Sequence, residues 1–259
     1  AGEATSGAIK LITKDKVVAI IGAATSGNTV AQVEVAGKNK VLLISPSGTS
    51  TTVTVTDKGK LNEFAFRTAF IDPFQGTVAA NFAANELKVK NVAIYADNSS
   101  DYAKGLAASF KKDFEAAGGK IVAQESYVAK DTDFRSTLTS LKSKNPDFIF
   151  IPGYYEEVGL IVKQAREMGI TVPLMGADGW DSPDIVDLAG ADALNNTYII
   201  TAYSSEDPDG KAKAFSDKFN EKYGEAPNSF HALGYDTVYL LKDAIERADS
   251  TDGTKIKEA

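Results

Sequence analysis

The sequence predicts an α/β protein built from two lobes, each a parallel sheet flanked by helices. Three observations lead there. Short apolar runs rich in branched residues, over 17–21, 41–44, 92–95 and 148–151, recur between stretches of helical periodicity, the mark of strands buried on both faces. The first two runs pass directly into polar turns, Gly22-Ala-Ala-Thr-Ser-Gly27 and Ser45-Pro-Ser-Gly-Thr49. The length of 259 residues exceeds a common single α/β layer and suits two lobes of about 100 to 150 residues each.

Taken in order, Ala8, Leu11 and Ile12 set a helix over 4–14, an unusual opening for a doubly wound domain. The strand 17–21, a helix over 29–35 and the strand 41–44 then make a βαβ unit with a short crossover. Residues 50–65 read as β-rich and polar without a clear core, and 66–71 as a further strand ending at Asp72-Pro73, where a change of lobe is expected. From Gly76 the pattern restarts: helix 76–87, strand 92–95, helix 102–117, strand 121–126, helix 133–143, strand 148–151, helix 157–168, strand 172–175, a short helix 183–188 and strand 197–202. Two helices, 210–223 and 229–247, follow a series that already looks closed. The simplest account returns the chain to the first lobe, giving 1–70 plus 204–259 for lobe 1 and 71–203 for lobe 2. The two strand crossings between lobes would serve as hinges.

Composition narrows the function. Hydrophobic residues make up 43% and charged residues 24%, as in an ordinary globular protein, and no apolar stretch approaches the roughly 20 residues of a membrane span. A net charge of −7 argues against nucleic acid, which demands clustered Lys and Arg. The absence of cysteine excludes disulfides, thiolate zinc sites and thiol catalysis. The opening Ala1-Gly-Glu-Ala-Thr-Ser reads as the start of a helix rather than as a leader or lipidation motif.

Loops at the carboxyl ends of neighbouring parallel strands are where open α/β sheets bind small ligands. The two turns carry backbone N–H groups and hydroxyls but no strong acid or base, which points to holding a ligand rather than attacking it. Gly22–Gly27 lacks both the Gly-x-Gly-x-x-Gly pattern and a Gly-Lys-Ser/Thr ending. No Ser-His-Asp order surrounds His231, the only histidine. No enzyme activity, cofactor or metal is expected.

Six short segments occur in order: Val18-Ala-Ile-Ile-Gly22, Ile44-Ser-Pro-Ser-Gly-Thr49, Phe66-Arg-Thr68, Pro152-Gly-Tyr-Tyr155, Met175-Gly-Ala-Asp178 and Leu233-Gly-Tyr-Asp236. Together they resemble the leucine/isoleucine/valine-binding proteins, type I solute-binding receptors of ABC transporters, over essentially the whole chain. The resemblance implies two Rossmann-like lobes of the type I periplasmic-binding-protein fold with a ligand cleft between them, closing about hinges on an amino acid, branched-chain or similar, for delivery to an ABC permease. It places the protein outside the cytoplasm, in the periplasm or at the cell surface, touching the membrane only through the permease or a lipid anchor outside this chain. Ser26, Thr49 and the N–H groups of the Ser47–Thr49 turn would meet the ligand carboxylate. Asp178 and the carbonyl of Ser47 would accept from its ammonium, Tyr102 and Tyr154 would close the site, and Phe230 and the backbone near Ala24 and Thr25 would border the side-chain pocket. The chain departs from the family in lacking its opening strand and its last stretch, and in carrying Asp178 where the longer Glu is frequent, with Trp180 two residues on. A ligand-sensing regulatory or receptor module of the same fold is the alternative.

Plain structural roles stand beside these. Ser26 and Thr49 suit helix N-caps, and Asp178 suits a turn. Trp180 fits either a cleft wall or a surface anchor. Of Tyr154 and Tyr155 one faces the cleft, and Tyr154 is the choice. His231 suits a packed or surface position, and Glu156-Glu157 suits a helix start. Asp181, Asp184 and Asp187 follow helix initiation after Pro183 better than calcium binding.

Overall fold

A computed structural model describes residues 1–207 and 210–259. They divide into two compact units, Ala1–Ile71 with Ala202–Ala259, and Asp72–Thr201. Both are α/β with exclusively parallel strand pairing in their sheets.

Unit 1 begins with α1 (Gly2–Thr13), β1 (Ala19–Ile21), α2 (Ser26–Asn39), β2 (Leu42–Ser45) and β3 (Ala65–Arg67), in sheet order β1-β2-β3. Alternation along β2 supplies both faces of the sheet. Leu43 packs with Ala8, Ile12, Ile20 and Ala36 beneath α1 and α2, while Leu42 and Ile44 pack on the other side with Phe64 and Ile256. Residues 50–65 are not the β-rich segment the sequence suggests: they hold a 3₁₀ turn, Thr51–Val53, and one isolated bridge, Val55 to Leu61. The backbone is drawn away from a ladder by side chains. Asn62 Nδ2 donates to the carbonyls of Thr52 and Val53 at 3.1 Å each, and Arg67 takes that of Ser50 just before them.

Unit 2 opens with α3 (Asp72–Asn81), which starts four residues before the expected position. Pro73 sits in its first turn, where a missing N–H costs nothing. Then come β4 (Asn91–Asp97), α4 (Asp101–Ala116), β5 (Lys120–Tyr127), α5 (Arg135–Ser143), β6 (Phe148–Phe150), α6 (Tyr155–Glu167), β7 (Leu174–Met175), α7 (Asp184–Ala189) and β8 (Thr197–Tyr198), with sheet order β5-β4-β6-β7-β8. One face carries stacked rings, Phe110 lying 4.3 Å from Phe150 and 5.5 Å from Phe114. The other buries Tyr95, Ile149, Ile151, Val158, Ile161 and Leu174.

Back in unit 1, α8 (Gly210–Tyr223) and α9 (Ser229–Ala248) are followed by α10 (Gly253–Glu258), a helix the sequence did not announce. The Asp252 carboxylate caps it by accepting from the N–H groups of Thr254 and Lys255 at 3.0 and 3.1 Å. His231 works as a cap partner: its N–H donates to Asn228 Oδ1 at 3.2 Å while its Nδ1 accepts from the Asn228 N–H at 3.1 Å.

Candidate functional site

In unit 1 the chemistry lies at the carboxyl ends of β1 and β2, whose two loops are tied by their own hydroxyls. Ser45 Oγ donates to the Ala23 carbonyl at 2.7 Å and Ser47 Oγ to the Ala24 carbonyl at 2.7 Å. Thr29 Oγ1 lies 3.0 Å from the carbonyls of Ala23 and Thr25. Gly48 is required here, since a Cβ would fall 2.7 Å from Ser45 Oγ and 3.0 Å from Thr29 Oγ1.

Ser26 is the first residue of α2 and Thr25 precedes it in extended conformation, so Ser26 does not act as the N-cap. Its Oγ accepts from the Ser50 N–H at 3.1 Å, which leaves the hydroxyl proton to donate elsewhere. Thr49 is fully buried, yet its Oγ1 has no hydrogen-bond partner among the described residues. The cap of the following 3₁₀ turn is Ser50, not Thr49. A buried orphan hydroxyl is costly unless something else satisfies it. These donors sit at the N-terminal end of a 14-residue helix, where N–H groups and the local dipole favour an anion. Phe230 is half-buried in the first turn of α9.

In unit 2 the loops after β4, β6 and β7 converge on Asp178, in a 3₁₀ turn Asp178–Trp180. Asp178 is 5% exposed. Its Oδ1 accepts from Tyr102 Oη at 2.7 Å and Gln75 Nε2 at 2.8 Å, and its N–H donates to Gln75 Oε1 at 3.1 Å. Tyr102 Oη accepts from the Gly179 N–H at 2.8 Å, and its ring stacks on Tyr154 with centroids 5.0 Å apart. Close approach demands glycine at 179, where a Cβ would fall 2.5 Å from the Gly153 carbonyl oxygen and 2.9 Å from Tyr102 Oη. Burial pushes the Asp178 carboxyl up to about 6, against the hydrogen bonds from Tyr102 and Gln75, which pull it down. Burial, and then the Asp178 charge, hold the Tyr102 and Tyr154 hydroxyls above their ordinary range, so both are protonated donors at neutral pH. No Lys or Arg forms an ion pair with Asp178 among the described residues.

Within unit 2 the geometry joins Tyr102, Tyr154 and Asp178, and within unit 1 Ser26, Ser47 and Thr49. Trp180 is not a surface anchor: it is 2% exposed in the unit 2 core and donates from Nε1 to the Ile151 carbonyl at 3.0 Å. Gly176 makes room for its ring, since a Cβ there would lie 2.0 Å from Nε1. Gln75 escaped sequence reading because its bond to Asp178 spans 103 residues. No group of acidic or His side chains suited to a metal occurs among the described residues.

Unit 1 thus presents neutral hydroxyls at its strand-end loops, and unit 2 a buried acid without a basic partner among the described residues, groups whose chemistry suits a small polar ligand. Across residues 1–259 the chain matches the periplasmic binding protein family, and it belongs to that family. It is 31% identical over 248 residues to the leucine-, isoleucine-, valine-, threonine- and alanine-binding protein of Pseudomonas aeruginosa, covering 96% of this chain and 65% of that protein. A leucine-binding protein of Thermotoga maritima superimposes with a TM-score of 0.93 at 39% identity, over 99% of this chain and 72% of that one. The branched-chain amino acid transporter substrate-binding protein LivJ of Streptococcus pneumoniae, solved with isoleucine, gives 0.91 at 43% identity, over 99% and 71%. The chain thus spans about two thirds of the length of these relatives. Among the described residues no helix is long and apolar enough to cross a membrane.

Proposed function

We propose that this protein is a non-enzymatic receptor for a free α-amino acid, branched-chain or similarly hydrophobic, which it supplies to an ABC permease outside the cytoplasm. The observation that carries the reading is Asp178, a buried acid held on Oδ1 by two neutral donors and with no basic partner among the described residues. A buried carboxylate without a cation is expensive, and a ligand ammonium removes that cost. Unit 1 offers the complementary chemistry. The orphan hydroxyl of Thr49, the free proton of Ser26 and the α2 N-terminus suit a carboxylate. An α-amino acid carries both charges on one carbon. The Pseudomonas relative, named for leucine, isoleucine, valine, threonine and alanine, and LivJ, solved with isoleucine, support a small aliphatic amino acid, with the branched-chain ones foremost.

A thermal-shift panel of the twenty amino acids on the intact protein tests this. Ligand at 100 times Kd stabilises by about 2.7 kcal/mol, so leucine, isoleucine or valine is expected to give the largest upward shift. A panel in which no amino acid raises the melting temperature contradicts the proposal.

A further inference from the structure

Arg67 ends β3 and reaches back over the loop after β2, within unit 1. Its Nη1 donates to the Ser50 carbonyl at 2.7 Å and the Gly48 carbonyl at 3.1 Å, and its Nη2 to Thr54 Oγ1 at 2.6 Å and the Thr51 carbonyl at 3.5 Å. In a trans peptide the C=O and the following N–H point in opposite directions. Anchoring the Gly48 and Ser50 carbonyls therefore aims the N–H groups of Thr49 and Thr51 away from the guanidinium. Neither of these N–H groups makes a hydrogen bond among the described residues. The loop thus has one side of carbonyls neutralised by a cation and another of unspent donors, which include the Thr49 hydroxyl.

We infer that Arg67 is a positioning residue for carboxylate capture, fixing the Thr49 and Thr51 N–H groups toward the ligand anion without touching it. The inference rests on the amino-acid receptor reading and adds a residue to it. A guanidinium suits the task because its planar fork holds two carbonyls at once, which a lysine ammonium does with less geometric control. Sequence inspection gives no hint of this role, since the partners lie 13 to 19 residues upstream in an irregular segment.

The test is calorimetry on the intact protein with leucine and with leucinamide, which keeps the ammonium and side chain but lacks the carboxylate. Arg67→Met and Arg67→Lys are compared with wild type, and folding is checked by circular dichroism. Wild type is expected to prefer leucine. Arg67→Met is expected to weaken leucine at least tenfold while changing leucinamide less than threefold, and Arg67→Lys to fall between. Should Arg67→Met fail to fold, Arg67→Lys carries the same test with a smaller loss. Equal weakening of both ligands, or unchanged leucine affinity, overturns the assignment. Failure of wild type to bind leucine and every other amino acid of the panel instead overturns the receptor reading on which it rests, so the two failures are told apart.

Discussion

Gln75 holds Asp178 at two points, donating from Nε2 to Oδ1 at 2.8 Å and accepting the Asp178 N–H on Oε1 at 3.1 Å. The clamp fixes side chain and backbone of one residue together. With Tyr102 on the same Oδ1, it leaves Oδ2 without either side-chain donor, and an ammonium can take that oxygen.

Removing the charge should separate binding from stability. Asp178→Asn keeps an oxygen for Tyr102 and Gln75 but offers no anion to a ligand ammonium. Amino-acid affinity is expected to fall at least a hundredfold by calorimetry. The unliganded protein at pH 7.5 is expected to gain about 1 to 3 kcal/mol by denaturant unfolding, because a carboxyl held near 6 costs stability when ionised.

The same group sets a pH window. A folded-state pKa raised from 3.8 to about 6 means that the folded protein binds the proton more tightly than the unfolded chain. The Asp178 contribution to unliganded stability is therefore complete below pH 4 and is lost as pH rises through 6. Ligand binding runs the opposite way: affinity for leucine should fall roughly tenfold per pH unit below 6 as Asp178 protonates. Titrations at pH 5, 6 and 7.5 check it.

Gln75→Leu deletes one of the hydrogen bonds that pull the Asp178 carboxyl down. The midpoint of the binding–pH profile should move upward, and unfolding should become easier by about 1 to 3 kcal/mol, as for a buried polar partner removed. A profile that keeps its wild-type midpoint shows that Gln75 only packs.

Thr49→Val replaces a buried hydroxyl that has no partner among the described residues with a methyl of the same shape. Losing an unsatisfied polar group is neutral or stabilising by about 1 kcal/mol, so the melting temperature of the unliganded protein should hold or rise. Leucine affinity should drop about tenfold. Trp180→Phe should behave inversely, costing about 1 to 3 kcal/mol through its lost bond to Ile151 while leaving ligand affinity within twofold.

The sequence was informative where local pattern decides the outcome. Runs such as Val41 to Ile44 lead into loops of Ser, Gly and Thr, and those loops stand at strand ends because a parallel sheet places them there. Ser26, Thr49, Tyr102 and Asp178 could be nominated from that pattern together with the family resemblance. What stayed hidden depends on distant partners. Gln75 meets Asp178 across 103 residues, and Arg67 reaches an irregular loop whose text looked β-rich. Trp180 beside a polar turn reads as either a cleft wall or a surface anchor, and the slot that Gly176 opens to admit its ring to the core leaves no mark in the sequence. The helix α10 was missed for want of periodicity in six residues, and its existence turns on the Asp252 cap.

The most direct measurement is calorimetry of the intact protein at pH 7.5 with L-leucine and with 4-methylpentanoate, the same molecule without its amine. The Asp178 account predicts saturable one-to-one binding of leucine and a loss of at least a hundredfold for the deaminated analogue. Equal affinity for the two, or binding of the analogue alone, would contradict it.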